Sequence, residues 1–130
     1  MGANGANGSL LRVRGIRGFL QGEELLLKRG DEVVVGRSRH CDLSVRRSTR
    51  YLERADRLNV SESEAWRTVS RQHVRIAYHR PDHIVIEDLS ANGSFLDGQR
   101  IEGKANIADI ESSPRVLALG SVERLKLEIA

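Results

Sequence analysis

The sequence is poor in cysteine, proline and aromatic residues. It contains one cysteine, two prolines and one tryptophan, and aromatic residues make up 4% of its 130 residues. A single cysteine, Cys41, excludes an internal disulfide and favours a reducing, cytoplasmic compartment. Because aromatic residues are scarce, Val, Leu and Ile must form most of the core. No apolar run approaches the roughly 20 residues of a membrane-spanning helix, and the N-terminus lacks a secretory pattern.

Residue patterns that support metal binding or catalysis are also missing. The histidines are scattered and show no metal-ligand spacing with the cysteine: His40, His73, His79 and His83. We therefore expect neither a metal nor a cofactor. No phosphate-binding P-loop and no readable nucleophile–base–acid order is present, which argues against an enzyme. The net charge of +3 favours anionic partners but does not by itself indicate nucleic acid.

The chain is rich in short apolar runs separated by turns. These runs predict strands at residues 10–16, 24–28, 31–35, 41–45, 74–78, 83–88, 117–119 and 122–129. Such spacing is typical of a single all-β sandwich or barrel domain. Residues 1–9 are mostly Gly, Ala and Asn, so we expect a disordered tether or an expression remnant there, with the domain over residues 10–130.

Residues 47–67 break the β pattern and have a helical period. Apolar residues recur there at i, i+4 and i+7: Tyr51, Ala55 and Leu58. Arginines form a second, basic stripe: Arg47, Arg50, Arg54 and Arg57. Ser61 and Glu64 match a capping box for a second short helix. We interpret the segment as one or two helices inserted in a loop, the alternative being a flexible surface loop with chance periodicity.

Three polar islands lie in loops between predicted strands: Gly36-Arg37-Ser38, Ser70-Arg71-Gln72-His73, and the segment from Asp88 to Gly98. Each island by itself is typical of a turn with a solvated arginine, a capping hydroxyl or a hairpin. Together they supply a guanidinium, hydroxyls and an amide, which are the groups that bind a phosphate ester. Since three loops at one end of a sandwich can converge, the set predicts an anion site.

The ordered set of motifs resembles the forkhead-associated (FHA) domain. Gly36-Arg37, the pair Ser70 and His73, and Asn92-Gly93-Ser94 followed by Asp97-Gly98 carry the resemblance, which extends over residues 10–129. It implies a β-sandwich of about eleven strands, here with a helical insert in one apical loop. It also implies that the apical loops bind phosphothreonine-containing protein segments in signalling or assembly.

The resemblance implies roles for the matching residues. The expected phosphopeptide-binding residues are Arg37 and Ser70 for the phosphate, Ser38 and Arg71 as further donors, and Asn92 for the ligand backbone. The expected supporting residues are Gly36, His73, Gly93, Asp97 and Gly98. The sequence departs from the family's usual residues at three positions in the loops. Ala91 stands where a polar side chain is common, Ser94 replaces the commoner Thr, and Asp97 replaces Asn and adds a negative charge near the binding end.

Several alternatives remain open. The arginine stripe of residues 47–67 could form a secondary interface that reads acidic residues beside the phosphothreonine, or it could be a solvated helix face. The domain could be a phosphate-independent protein scaffold that uses this insert. Tyr51 and Trp66 near the basic stripe could stack on nucleic acid, which the sequence otherwise disfavours. The pair Ser70 and His73 could suggest a hydrolase, but no third group is readable.

Overall fold

The structure is a computed structural model that describes residues 9–130. The predicted tether therefore lies, apart from Ser9, outside the described residues. The Ser9 carbonyl accepts a hydrogen bond from the Tyr78 hydroxyl at 3.0 Å. Ser9 is thus held against the domain at the edge of the first strand.

Eleven strands form two facing sheets. In chain order they are β1 (Leu11–Arg17), β2 (Glu24–Leu27), β3 (Glu32–Gly36), β4 (Leu43–Ser44), β5 (Val74–Arg80), β6 (His83–Asp88), β7 (Ser94–Leu96), β8 (Gln99–Arg100), β9 (Lys104–Ile107), β10 (Arg115–Leu119) and β11 (Glu123–Ile129). One sheet has the order β2-β1-β11-β10-β7-β8 and the other β4-β3-β5-β6-β9. The pair β3 and β4 is parallel, and the other paired strands are antiparallel. The predicted all-β sandwich of about eleven strands is confirmed.

Alternating apolar residues place the core between the sheets. In β5, Val74, Ile76 and Tyr78 are fully buried, and in β11 so are Leu125 and Leu127. Successive side chains of a strand point to opposite faces, so these alternating residues turn one face of each sheet inward. Branched aliphatic residues fill most of the core, as the scarcity of aromatic residues requires.

Two helices join β4 to β5: α1 (Thr49–Arg54) and α2 (Val60–Arg67). The predicted helical insert is confirmed, in the form of two helices. Its partly buried Tyr51, Leu58 and Trp66 pack against the core, whereas Ala55 of the predicted apolar stripe is exposed. Neither helix within residues 9–130 has the length and apolar character needed to cross a bilayer.

The cap of the second helix differs from the prediction. The capping box lies at Asn59 and Glu62, not at Ser61 and Glu64. The Asn59 side chain accepts from the Glu62 N–H at 2.8 Å, and the Glu62 side chain accepts from the Asn59 N–H at 3.1 Å. Asn is as good a cap as Ser, and the earlier start satisfies the first free N–H groups of α2.

The predicted basic stripe is interrupted because α1 ends at Arg54. Arg54 forms an ion pair with Glu62, and Arg57 donates to the Glu53 carbonyl at 2.7 Å. Arg47 lies before α1 and donates to backbone carbonyls of the β3–β4 loop. Within residues 9–130, Arg50 is the one member of the stripe whose side chain has no hydrogen bond or ion pair.

Candidate functional site

A cleft of about 400 Å³ opens where β3 ends and the insert packs on the sandwich. It is lined by Arg37, Ser38, Arg39, His40, Arg46, Trp66 and Arg71. The first four follow β3, Arg46 follows β4, Trp66 belongs to α2, and Arg71 precedes β5. Four of these residues are arginines and none is a carboxylate, so the cleft suits an anion.

Backbone hydrogen bonds hold two of the predicted loops side by side. The Arg37 N–H donates to the Ser70 carbonyl at 3.0 Å, and the Ser38 N–H donates to the Arg71 carbonyl at 3.1 Å. A Cβ atom on Gly36 would lie 2.3 Å from the Arg71 carbonyl oxygen. The close approach of the loops therefore requires glycine at position 36.

His73 joins the Ser70 loop to the Gly93 loop. It is fully buried, and its Nδ1 accepts from the Ser70 N–H at 2.9 Å. Its Nε2 lies 2.9 Å from the Gly93 carbonyl and must donate to it, since a carbonyl only accepts. Burial lowers the pKa of His73, which favours this neutral tautomer. Both ring nitrogens are occupied, so His73 offers no base to a Ser70 nucleophile.

The Ser70 and Ser38 hydroxyls each accept a hydrogen bond from a backbone N–H. The Ser70 Oγ accepts from the Ala91 N–H at 3.0 Å, and the Ser38 Oγ accepts from the His40 N–H at 3.2 Å. In each case the hydroxyl proton remains available for another acceptor. Ala91, which lacks a polar side chain, thus contributes its backbone N–H to the loop.

Asp88 organises the third island. Its Oδ1 accepts from the Ser90 and Ser94 hydroxyls at 2.6 and 2.8 Å, and the Ser90 Oγ accepts from the Gly93 N–H at 2.8 Å. Burial raises the pKa of Asp88, but the hydrogen bonds from Ser90 and Ser94 outweigh burial and place that pKa below its usual value. Sequence reasoning gave Asp88, Ser90 and Ser94 no supporting role, although the Asp-x-Ser spacing signals such a turn.

Asn92 lies next to the end of the insert, outside the lining of the cleft. Its Nδ2 donates to the Thr68 carbonyl at 3.2 Å, which leaves the Oδ1 without a partner among the described residues. The Thr68 Oγ1 accepts from the Ser121 N–H at 3.0 Å, in the β10–β11 turn. Thr68 therefore connects α2 to the Asn92 loop and to the β10–β11 turn.

Asp97 and Gly98 lie at the β7–β8 turn and not at the cleft. The Asp97 carboxylate accepts from the Val116 N–H at 2.8 Å and forms an ion pair with Arg115. Burial raises the pKa of Asp97, but its hydrogen bonds with Val116 and Arg115 lower that pKa by more. The pKa of Asp97 therefore lies below its usual value. The structure places Asp97 outside the lining of the cleft and in an ion pair with Arg115 of β10, and its supporting role stays a prediction.

A stack of side chains links the insert to Arg37. Phe19 meets the edge of Tyr51 at 5.5 Å between ring centres, and Tyr51 stacks on Trp66 at 5.7 Å. The Arg37 guanidinium carbon lies 4.4 Å from the centre of a Trp66 ring. The sequence contains no pattern that pairs Trp66 with Arg37, so this contact was missed.

The fold and the loops can be compared with known proteins. The family model for the FHA domain matches residues 33–116, more than half of the chain. The chain therefore belongs to the FHA domain family. No curated protein matches it significantly.

Solved structures of FHA domains share the fold. The FHA domain of the CT664 protein from Chlamydia trachomatis is 24% identical with a TM-score of 0.66, and the match covers 94% of this chain and 100% of that one. An FHA domain of an Arabidopsis thaliana hypothetical protein is 23% identical with a TM-score of 0.64, covering 94% and 86%. Mycobacterium tuberculosis EmbR, in complex with a low affinity phosphopeptide, is 20% identical with a TM-score of 0.60, covering 94% of this chain and 25% of EmbR.

Proposed function

We propose that residues 10–130 form a module that binds phosphothreonine-containing protein segments and mediates signalling or assembly. Membership of the FHA family supports this function, and EmbR, with the same fold, was solved with a phosphopeptide. We further propose that the module works in the cytoplasm, where the buried free thiol of Cys41 would stay reduced.

The observation that carries the proposal is that the Arg37 guanidinium lines the cleft without an acidic partner among the described residues. The Arg37 backbone is bonded to the Ser70 loop. A phosphate carries about −1.5 to −2 charges and three acceptor oxygens. An arginine can donate two parallel hydrogen bonds to it. In the proposal the hydroxyl of Ser70, which lies next to the lining of the cleft and not in it, donates a third.

The remaining site residues extend this arrangement. In the proposal, Ser38 and Arg71 donate to the phosphate or its flanking peptide, and the Asn92 amide binds the ligand backbone. Gly36, His73 and Gly93 hold the loops in place. The proposal includes no catalysis, because both nitrogens of His73 are engaged and Ser70 has no base. Binding should weaken as the pH falls through about 6, where the phosphate gains a proton.

The proposal is tested by titrating degenerate phosphothreonine peptides against the wild type and Arg37→Ala, with fluorescence anisotropy as the measurement. Arg50→Ala is the matched control, since Arg50 is exposed and lies outside the cleft. We expect Arg37→Ala to lose binding by about a hundredfold, because a charge-assisted bidentate contact contributes several times more than a surface charge. Arg50→Ala should bind as the wild type does.

Unphosphorylated and phosphoserine pools complete the design. Selective binding of the phosphothreonine pool supports the proposal. Equal binding of the unphosphorylated pool, unaffected by Arg37→Ala, would instead favour a phosphate-independent scaffold. The structure gives that alternative less support than the sequence did, since Arg47, Arg54 and Arg57 of the insert are engaged within the domain.

A further inference from the structure

The cleft carries more positive charge than one phosphate can neutralise. Four guanidinium groups line it: Arg37, Arg39, Arg46 and Arg71. None of the ion pairs among residues 9–130 involves any of the four, and no carboxylate lines the cleft. A phosphothreonine supplies at most about two negative charges. About two positive charges therefore remain unmatched in the same cleft.

Hydrogen bonds brace the β3–β4 loop, which carries Arg39, one of the arginines in excess. The Arg47 side chain donates to the Arg39 carbonyl at 2.8 Å and to the Asp42 carbonyl at 3.2 Å, and it also bonds the Cys41 carbonyl. The Asp42 carboxylate in turn accepts from the Val34 N–H at 2.8 Å. The Arg47 side chain thus fixes the backbone of the loop that presents Arg39. A ligand that binds Arg39 therefore loses less entropy in ordering this loop.

Arg39 and Arg46 lie at the two ends of the short β4 segment that Arg47 braces. Arg39 precedes β4, Arg46 follows it, and both side chains are exposed. Elsewhere in the domain some arginines, such as Arg54 and Arg80, have carboxylate partners, whereas the exposed Arg17 and Arg50 have no ion pair among the described residues. Arg39 and Arg46 differ from these other unpaired arginines because they share one cleft with two further guanidinium groups.

We propose that Arg39 and Arg46 form a second anion subsite, which binds a second negatively charged side chain of the same peptide. This inference rests on the proposed function, and it defines the ligand class as a phosphothreonine segment with a further phosphate or carboxylate near by. The residues differ from those of the arginine stripe of the insert. The subsite lies in the cleft with Arg37, and Trp66 of α2 forms its wall.

The experiment compares three synthetic peptide pools that share a central phosphothreonine. One has uncharged flanks, one has a single Asp at varied flanking positions, and one has a second phosphothreonine at those positions. Anisotropy gives the dissociation constants. The emission of Trp66, the single tryptophan, gives an independent measure of ligand entry into the cleft. For the wild type we expect the Asp pool to bind about threefold tighter than the uncharged pool, and the doubly phosphorylated pool about tenfold tighter.

Two double variants separate the subsite from a general charge effect. Arg39→Gln with Arg46→Gln should abolish the gain and leave the affinity for the uncharged pool within about twofold. Arg17→Gln with Arg50→Gln removes the same charge from exposed positions outside the cleft and should retain the gain. The relative gains of the Asp and phosphate pools show whether carboxylate or phosphate is the preferred second group.

Four results would overturn the subsite. The first is equal binding of the three pools to the wild type, and the second is an affinity gain that survives in the Arg39 and Arg46 variant. The third is an equal loss of that gain in the control variant. The fourth is a single-stranded oligonucleotide that competes as well as the doubly phosphorylated pool. Binding of the uncharged pool that depends on Arg37, without a gain, removes the subsite and leaves the proposed function intact. Absence of binding in every pool removes both.

Discussion

The guanidinium of Arg37 lies over the ring of Trp66, 4.4 Å from its centre, although Arg37 belongs to the β3–β4 loop and Trp66 to α2. Trp66 itself stacks on Tyr51, which meets Phe19 at the side of the sandwich. Cation–π attraction holds a guanidinium against such a ring. The insert therefore contributes directly to the position of the proposed phosphate-binding arginine.

Replacing Trp66 should weaken phosphopeptide binding without unfolding the domain. In Trp66→Ala the Arg37 side chain loses its aromatic support, and we expect binding to weaken about threefold to tenfold, in line with cation–π energies of about 0.5–1 kcal/mol or more. Trp66→Phe is the matched control, because the Trp66 Nε1 is buried without a hydrogen-bond partner among the described residues. Phe should retain most of the affinity, as measured by anisotropy. Equal losses in both variants would contradict a role for the stacked ring.

Arg47 should matter for stability, whereas Arg50 should not. Arg47 donates to three carbonyls of the β3–β4 loop, and Arg50 has no partner among the described residues. We expect Arg47→Ala to lower the free energy of unfolding by about 1–2 kcal/mol and to weaken phosphopeptide binding as the loop loosens. Arg50→Ala should change stability by less than about 0.5 kcal/mol. Urea titrations of both variants measure these changes in stability. Similar unfolding midpoints would contradict a stabilising role of the Arg47 hydrogen bonds.

His73 should make stability depend on pH below about 6.5. Burial holds the pKa of His73 in the folded protein below its unfolded value, so between the two values the unfolded chain binds more protons. Its contribution is fully present above about 6.5 and declines, by up to about 1.4 kcal/mol per pH unit, as the pH falls towards the folded pKa. Denaturant titrations from pH 7.5 to 5.5 should show this slope in the wild type and not in His73→Gln. Parallel slopes would refute it, since all other titrating groups are shared.

Gly36→Ala should damage the site more than it damages the fold as a whole. The new Cβ would lie 2.3 Å from the Arg71 carbonyl oxygen, so the Arg37 and Arg71 loops must separate. We expect a loss of about 2 kcal/mol in the free energy of unfolding and of most phosphopeptide affinity.

Gly22→Ala provides the comparison for that variant. Gly22 has a φ of 93° and nothing within 4 Å of an added Cβ, so the substitution strains the backbone at a position outside the lining of the cleft. It should lower stability by about 1 kcal/mol and leave binding unchanged. Calorimetry and anisotropy on the same samples separate the two effects. Intact binding in Gly36→Ala would show that the loops can part without harm.

The sequence predicts the long elements of this fold and misses those without a periodic signal. The alternation in β5 and β11 predicts both strands, because each is long enough to show which side faces the core. β7, β8 and β9 are two to four residues long and show neither alternation nor a clear apolar run. β2 and β4 are equally short, but each lies in an apolar run between turns and was predicted. The helical insert was predictable from its period, and its second helix from a capping signal, but the position of that cap was not, since Asn59 and Ser61 are equally good capping residues.

The candidate site also contains residues that the sequence predicts and residues that it does not. Arg37, Ser38 and Arg71 could be selected because they sit in recognisable motifs, and the structure brings all three to one cleft. Trp66, Arg39 and Arg46 also line that cleft, but only tertiary packing brings them there. The sequence shows the charge of Asp97 but not its ion pair with Arg115, because only the fold brings the two side chains together.

The two ends of the described chain are neighbours in the first sheet. Leu11 pairs with Ile129, and the Ala130 N–H donates to the Leu10 carbonyl at 2.8 Å. β11 starts beside the turn that contacts Thr68 and spans seven residues, so both ends lie about 20 Å from that turn at about 3.3 Å per residue. A neighbouring domain or a surface anchor attached at either end would therefore leave the cleft open. Joining the ends through a short glycine bridge and reopening the chain at Gly22 should give a circular permutant that keeps the same ligand preference.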